Sequence, residues 1–187
     1  YDYIFRIVLV GNSNVGKTAL TRRFADKKFI ENYDATIGLD YGSTIIEIPN
    51  SIRIRCQIWD TAGQETYAPL IASYYKNSAG FIIVFDVSNR ESFDRINYWL
   101  KEIEENKNHN IKIPKILVGN KIDKYKKRVV TKVEAIEFAH KHNLLYQETS
   151  VRHNKNVDNI LLMLCKKIHM QVDTLPGVKK QEITIEL

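Results

Sequence analysis

The chain has 187 residues, the size of one ordinary domain, so an organisation in several domains is disfavoured. Its 44% hydrophobic and 27% charged residues are typical of a globular protein, which excludes a disordered acidic protein and a fibrous repeat. The net charge is +6, and part of the excess lies in the basic run from Lys124 to Arg128. No basic helix with interleaved aromatic residues accompanies this run, so we interpret it as a solvated surface loop and expect no nucleic-acid binding.

The cysteine spacing and the hydropathy pattern favour a reducing compartment such as the cytosol. Cys56 and Cys165 lie far apart in apolar stretches and have neither CxxC nor metal-ligand spacing, which predicts no disulfide framework and no zinc site. The longest apolar run, Gly80–Val87, is much shorter than the ~18 residues of a membrane-spanning helix, and no signal-peptide pattern precedes it. We therefore expect a chain that neither spans a membrane nor enters the secretory route by itself.

Strand and helix patterns alternate along the chain, which predicts an α/β fold with a parallel sheet and helices on both faces. Apolar runs rich in β-branched residues predict strands at Tyr3–Val10, Ile82–Val87 and Ile116–Val118. Apolar residues at helical spacing predict helices at Lys17–Ala25, Arg90–Asn106, Lys132–His142 and Val157–Met170. A β-hairpin is also predicted, with strands Thr44–Ile48 and Ile52–Trp59 on either side of the turn Pro49-Asn50-Ser51. This hairpin adds one antiparallel strand to the parallel sheet.

The strongest motif is a glycine-rich loop that follows the first predicted strand and opens the first predicted helix. Its sequence, Gly11-Asn12-Ser13-Asn14-Val15-Gly16-Lys17-Thr18, has the spacing G-x-x-x-x-G-K-[ST]. The backbone N–H groups of the loop and of the helix start, from Ser13 to Ala19, form a cradle for phosphate. Lys17 adds a positive charge toward the β- and γ-phosphates, and Thr18 offers its hydroxyl to Mg²⁺. A turn that merely needs glycine would not require the lysine and the threonine in this register.

A second cluster follows the second hairpin strand and has the sequence Asp60-Thr61-Ala62-Gly63-Gln64. Asp60, a carboxylate at a strand end, suits Mg²⁺ or its waters, and Gly63 lets a backbone N–H approach a γ-phosphate. Gln64 is then placed to orient an attacking water. We therefore expect a nucleoside triphosphate and Mg²⁺ at this edge of the sheet.

The run Gly119-Asn120-Lys121-Ile122-Asp123 follows the strand that begins at Ile116. The carboxylate of Asp123 can accept two N–H bonds from the edge of guanine, an arrangement that adenine cannot supply. An Asn-Lys turn that leads to an aspartate is ordinary loop chemistry when it stands alone. In a chain that also carries a phosphate loop, it predicts that the base is guanine.

With these motifs, the chain resembles the small GTPases of the Ras superfamily, and most closely their Rab branch. The motifs that carry the resemblance appear in family order and spacing over about residues 3–170: the phosphate loop, Tyr33–Gly38, Trp59–Glu65, Asn120–Asp123 and Glu148-Thr149-Ser150. The Rab branch is indicated by Ile37–Tyr41, Ile58–Glu65 and Ser73-Tyr74-Tyr75. The resemblance implies the P-loop NTPase (small G-protein) fold with a six-stranded, mostly parallel sheet. We expect this domain over residues 1–172 and a tail or linker over residues 173–187.

The resemblance implies two switch segments around the phosphates. By position, Thr36 coordinates Mg²⁺ when GTP is bound, and the N–H of Gly63 meets the γ-phosphate. The segments that flank these residues therefore order with GTP and loosen after hydrolysis. Tyr33 matches an aromatic residue that closes over the phosphates.

The resemblance also implies contacts with the base. Phe29 matches an aromatic residue that packs against guanine, and a phenylalanine of the core is the alternative. Asn120, Lys121 and Asp123 match one base-binding motif of the family, and the run Ser150-Val151-Arg152 stands where Ser-Ala-Lys is typical. The N–H of Val151 can still reach the guanine oxygen, whereas an arginine at 152 stacks differently from a lysine.

Three aromatic residues match the trio that Rab proteins present to effectors: Tyr41, Trp59 and Tyr74. Ordinary packing is the alternative for Trp59 and Tyr74. Tyr41 replaces the customary phenylalanine and adds a hydroxyl that could change the choice of effector. Asn14 stands where glycine is usual, and if its φ is positive, asparagine is among the cheapest replacements, so we expect nucleotide binding to survive.

The function predicted from the residues and the resemblance is a GTP/GDP switch that hydrolyses GTP and regulates vesicular membrane traffic by binding effectors in its GTP state. Lys17 and Mg²⁺ stabilise charge, and Gln64 positions the water. No arginine finger is evident, so we expect slow hydrolysis that a GTPase-activating protein stimulates. Two other functions stay open: a guanine-nucleotide-binding scaffold that does not cycle, and a P-loop ATPase or kinase of another class.

The resemblance also implies partners and a location. We expect an exchange factor, a GTPase-activating protein, effectors and a prenyl-Rab chaperone, and we expect a monomer. Rab proteins normally end in one or two prenylated cysteines, and residues 182–187 contain none. We expect the native molecule to be cytoplasmic and to attach reversibly to the cytosolic face of a Golgi or endosomal membrane through a lipidated tail that is not present in this chain.

Overall fold

A computed structural model describes residues 1–26, 39–61, 73–107 and 112–173. Within these residues one sheet of six strands has the order β2-β3-β1-β4-β5-β6. Its strands are β1 (Tyr3–Val10), β2 (Leu39–Ile48), β3 (Ile52–Thr61), β4 (Gly80–Asp86), β5 (Lys115–Asn120) and β6 (Leu145–Glu148). The pair β2 and β3 is antiparallel, and every other neighbouring pair is parallel. The predicted fold class is therefore confirmed.

The helices connect the strands and cover both faces of the sheet. They are α1 (Lys17–Asp26), α2 (Arg90–Asp94), α3 (Ile96–Asn106), α4 (Lys132–Lys141) and α5 (Val157–Val172), and residues 73–76 are also helical. Short 3₁₀ segments lie at Pro49–Ser51 and Ile122–Lys127. Within the described ranges, every helix falls short of the length and apolar character that a bilayer-spanning segment requires.

The core has two layers because side chains of successive strand residues point to opposite faces of the sheet. Phe5, Ile7 and Leu9 of β1 pack in one layer with residues of α1 and α5. Val8 and Val10 pack in the other layer with residues of α2, α3 and α4. Every residue of β4 is buried, as is typical of a strand with helices on both faces.

Two elements differ from the sequence-based predictions. The predicted helix Arg90–Asn106 is wrong as a single helix, because Arg95 takes a ψ of 0° and separates α2 from α3. The second difference is β6, a strand of four half-buried residues to which the hydropathy pattern assigned no range. The predicted hairpin is confirmed, and its turn contains Asn50 and Ser51 with φ values of 69° and 57°.

Candidate nucleotide-binding site

The candidate site lies at one edge of the sheet. Strands β1, β3, β4, β5 and β6 run parallel, so their carboxyl ends meet at the same edge. The glycine-rich loop follows β1, Asp60 lies at the end of β3, Asp86 ends β4 and Asn120 ends β5. This edge is where ligands bind in open α/β sheets. The topology thus brings together motifs from distant parts of the chain.

The glycine-rich loop connects β1 to α1 through backbone conformations that suit glycine. Gly11 and Gly16 have φ values of 141° and 105°. A Cβ at position 11 would overlap the carbonyl oxygen of Val84, and a Cβ at position 16 would overlap the side-chain amide of Asn120. Asn14 has a φ of 61°, so the condition under which asparagine can replace glycine is met. Both glycines are therefore needed for the loop to take this shape.

Lys17, the first residue of α1, is folded back over the loop. Its side chain is buried, and Nζ donates hydrogen bonds of 2.8 Å to the carbonyl oxygens of Gly11 and Asn12. Burial lowers the pKa of Lys17, and the nearby carboxylate of Asp60 opposes this shift. The loop carbonyls thus fix the ammonium group at the point where the loop meets the helix N-terminus.

Thr18 and Asp60 form the second polar pair of the site. The hydroxyl of Thr18 donates a hydrogen bond to Oδ2 of Asp60, whose side chain is fully buried. Hydroxyl and carboxylate oxygens suit Mg²⁺, which binds few protein oxygens and completes its shell with water and phosphate. Among the described residues, no cluster of three or more His, Cys, Asp or Glu side chains could hold a metal ion by itself. The donor set fits Mg²⁺ bound together with a phosphate ligand.

Asn120 links three loops at the other end of the site. Its side-chain Nδ2 donates to the carbonyl oxygen of Val15 at 2.9 Å, and Oδ1 accepts from the hydroxyl of Thr149 at 3.2 Å. Oδ1 also accepts from the N–H of Val151 at 3.4 Å. Asn120 therefore holds the phosphate loop and the segment after β6 at fixed positions, a linking role that the sequence did not predict.

Asp123 and the segment after β6 also meet. The hydroxyl of Ser150 donates to Oδ1 of Asp123 at 2.6 Å and accepts from the N–H of His153 at 3.2 Å. From α1, Arg23 donates to the carbonyl oxygens of Val151 and Arg152 at 2.9 and 3.3 Å. The two runs that were predicted to bind the base are therefore neighbours, and the carboxylate of Asp123 is oriented by a hydroxyl.

The three aromatic residues that match the effector trio form a continuous stack. Tyr41 on β2 lies opposite Trp59 on β3, and their ring centroids are 4.7 Å apart. The rings of Trp59 and Tyr74 are 4.5 Å apart. Tyr41 is exposed, whereas Trp59 and Tyr74 pack against the core layer of α2, α3 and α4. The stack thus combines an exposed aromatic surface with core packing.

The structure places the remaining predicted residues in two groups. Ser13 is exposed in the phosphate loop, Val15 is buried beneath it, and Ala19 is in the first turn of α1. Five predicted residues lie outside the described residues: Phe29, Tyr33, Thr36, Gly63 and Gln64. The predicted tail also lies outside them, apart from residue 173.

Two contacts to the phosphate loop were not predicted from the sequence. Lys121 reaches the loop and also pairs with Asp86. Trp99 on α3 donates a hydrogen bond of 3.0 Å from Nε1 to Oδ1 of Asn12. Asp86 could have been found, because it lies near the carboxyl end of a predicted buried strand, as Asp60 and Asn120 do. For Trp99, the helical pattern indicated only a core position.

Comparisons with known proteins agree with this geometry. The Ras family model matches residues 6–170. The chain is also 38% identical over 168 residues to the Ras-related protein Rab-13 of the dog, Canis lupus familiaris, an alignment that covers 90% of this chain and 81% of that protein. A match over most of the chain, together with the phosphate loop and the guanine-type motif at one sheet edge, shows that this chain belongs to the Ras family and is a Rab-like small GTPase.

Proposed function

We propose that this protein is a GTP/GDP switch of vesicular membrane traffic that hydrolyses GTP to GDP and phosphate. The observation that supports this most directly is the shared sheet edge, where the pair of Thr18 and Asp60 and the pair of Asp123 and Ser150 flank one phosphate loop. The first pair suits Mg²⁺ and phosphate, and the second suits guanine. The nucleotide-binding domain covers residues 1–172, and α5 ends at Val172.

Phosphate binding depends on the backbone of the glycine-rich loop and on Lys17. The N–H groups of residues 13–19 surround the β-phosphate, and the buried ammonium of Lys17 balances its charge. Thr18 and Asp60 would hold Mg²⁺, and Thr36 would be a further ligand in the GTP state. When bound, Mg²⁺ neutralises charge on the β- and γ-phosphates. Lys17 also stabilises the negative charge that develops on GDP, the leaving group.

Hydrolysis requires a water in line with the γ-phosphate. Gln64 accepts a hydrogen bond from this water and orients it, and Gly63 donates its N–H to the γ-phosphate. Thr36 and Gly63 therefore lose their contacts when the γ-phosphate leaves, and the segments around them change state. Tyr33 covers the phosphates.

Base recognition depends on the carboxylate of Asp123. This group accepts the two N–H bonds on the guanine edge, and the hydroxyl of Ser150 keeps it in position. Phe29 packs against one face of the base, and Lys121 and Arg152 lie beside it. The second amide hydrogen of Asn120 and the N–H of Val151 complete the contacts to guanine.

Signalling uses an aromatic surface that includes residues of β2 and β3. The stack of Tyr41, Trp59 and Tyr74 binds effectors in the GTP state, because aromatic residues dominate binding energy at protein interfaces. The protein acts as a monomer together with an exchange factor, a GTPase-activating protein and a prenyl-Rab chaperone. It alternates between the cytosol and an internal membrane.

The test is GTP hydrolysis under single-turnover conditions, with phosphate release as the readout. The wild type is expected to convert GTP slowly, and Gln64→Leu is expected to keep GTP binding but lose most of the hydrolysis that an activating protein stimulates. The matched control is Gln57→Leu, because it makes the same substitution at a half-buried position in the middle of β3. Binding without any turnover would indicate a scaffold that does not cycle.

A further inference from the structure

Asp86 is a buried carboxylate to which the proposed function assigns no role. Asp86 is the last residue of β4, lies beside Asn120 of β5 and is only 5% exposed. Burying an unpaired charge is costly, so such a group must be satisfied by close partners. In the structure, Oδ1 accepts hydrogen bonds from the N–H and the hydroxyl of Ser88, at 2.8 and 2.6 Å. Oδ2 lies 2.8 Å from Nζ of Lys121.

The environment keeps Asp86 ionised. Burial by itself raises the pKa of this carboxyl, but the hydrogen bonds from Lys121 and Ser88 outweigh burial and hold the pKa below its usual value. Asp86 therefore carries a full negative charge at neutral pH, and the ammonium of Lys121 is its cationic partner.

Lys121 transmits this interaction to the phosphate loop. The same Nζ donates a hydrogen bond to the carbonyl oxygen of Asn14. Lys121 and Asn14 both have left-handed backbones, with φ values of 65° and 61°. Such a conformation is costly for a lysine, although an asparagine tolerates it, so the contacts of Lys121 must fix its backbone. The ammonium group connects these two segments, and Asp86 fixes the ammonium.

We propose that Asp86 is a positioning residue for the bound nucleotide. Through Lys121 it holds the carbonyl of Asn14, and thereby the neighbouring N–H groups of the phosphate loop, in the geometry that binds phosphate. This inference rests on the proposed function, because it concerns how long GDP stays bound. In this arrangement Lys121 of the guanine motif connects the end of β4 to the phosphate loop.

The substitution Asp86→Asn tests this role because it keeps the size of the side chain and removes the charge. We expect GDP that carries a fluorescent label on its ribose to leave the variant about tenfold faster, by analogy with the loss of affinity when a partner that orients a metal ligand is removed. The control is Asp94→Asn, which removes the same charge from an exposed carboxylate that pairs with Arg90. GDP release from this control should equal that of the wild type.

The same measurement in a chain that also carries Lys121→Gln separates a positioning role of Asp86 from a general effect on protein stability. If Asp86 acts through Lys121, Asp86→Asn should not accelerate GDP release further in a chain that already carries Lys121→Gln. Equal acceleration in both backgrounds would overturn the proposal, because the effect would then pass through Ser88. No acceleration in the wild-type background would also overturn it.

Two further results keep the test decisive. If Asp86→Asn does not fold, Asp86→Glu tests the position of the carboxylate instead of its charge, because it keeps the charge and moves the carboxylate by one methylene group, and it should also accelerate GDP release. Faster release that depends on Lys121 supports the proposal, and release at the wild-type rate contradicts it. A wild-type chain that does not bind GDP at all would instead contradict the proposed function.

Discussion

The hydroxyl of Thr18 donates a hydrogen bond to the carboxylate of Asp60, although 42 positions separate the two residues in sequence. The parallel pairing of β1 and β3 makes this contact possible, because it places the start of α1 beside the end of β3. The pair supplies two oxygen ligands of the kind that Mg²⁺ prefers. The proposed binding of Mg²⁺ therefore depends on the sheet topology as much as on the motif.

Thr18→Asn should weaken GTP binding more than GDP binding. Asparagine has no hydroxyl to offer to Mg²⁺, and the γ-phosphate gives GTP an additional interaction with the ion. We expect the ratio of the GTP and GDP affinities to fall by about tenfold or more. Titrations of nucleotide-free protein, with Mg²⁺ and with EDTA, measure this ratio. If the variant and the wild type have the same ratio of GTP and GDP affinities in Mg²⁺, the assignment of Thr18 as a metal ligand is contradicted.

Trp99→Phe tests the contact between α3 and the phosphate loop. Phenylalanine keeps an aromatic ring but cannot donate the hydrogen bond of 3.0 Å to Asn12. We expect a loss of about 1 kcal/mol in the free energy of unfolding, the usual net value of one hydrogen bond. Chemical unfolding of Trp99→Phe, Asn12→Ala and the double variant measures the coupling. Fully additive losses would show that the indole contributes only by packing.

The thiols of Cys56 and Cys165 should be protected in the folded protein. Their sulfur atoms are 3.4 Å apart and both residues are fully buried, although the cysteines are 109 positions apart in sequence. The contact with Cys56 and burial raise the pKa of the Cys165 thiol, so little reactive thiolate forms near pH 7. We expect a maleimide to label neither residue in native buffer and both in urea. Rapid labelling of the folded chain would contradict this packing.

Arg128→Lys should destabilise the protein. Arg128 belongs to the basic run, yet its guanidinium forms two parallel hydrogen bonds with Glu148, at 2.8 and 3.0 Å. Lysine cannot form this paired geometry, so we expect a loss of about 1 to 2 kcal/mol in the free energy of unfolding. Arg90→Lys is the matched control, because Arg90 pairs with Glu134 at a more exposed position. Equal losses in the two variants would contradict a special role for the Arg128 pair.

The motifs were predictable because each one is continuous in sequence. The run from Gly11 to Thr18 and the run from Asn120 to Asp123 need only local spacing and a preceding strand to be recognised. The hairpin was also predictable, since its turn residues and its alternating strands are adjacent in the chain.

The connections between motifs were not predictable in the same way. The contacts of Trp99 with Asn12 and of Arg23 with Val151 join residues 87 and 128 positions apart. Periodicity reports which face of an element is apolar, and it carries no information on which distant segment that face meets. The break at Arg95 escaped prediction for a related reason, because the apolar spacing continues across it from Phe93 to Ile96.

We propose that this site selects guanine through Asp123. Its most direct test is to titrate nucleotide-free protein with GDP, ADP and xanthosine diphosphate, for the wild type and for Asp123→Asn. We expect the wild type to prefer GDP over ADP by about 10⁴-fold, as sites built on hydrogen bonds achieve. The variant should prefer xanthosine diphosphate, because its amide donates to the additional carbonyl of xanthine. Equal affinity of the wild type for GDP and ADP would contradict the account.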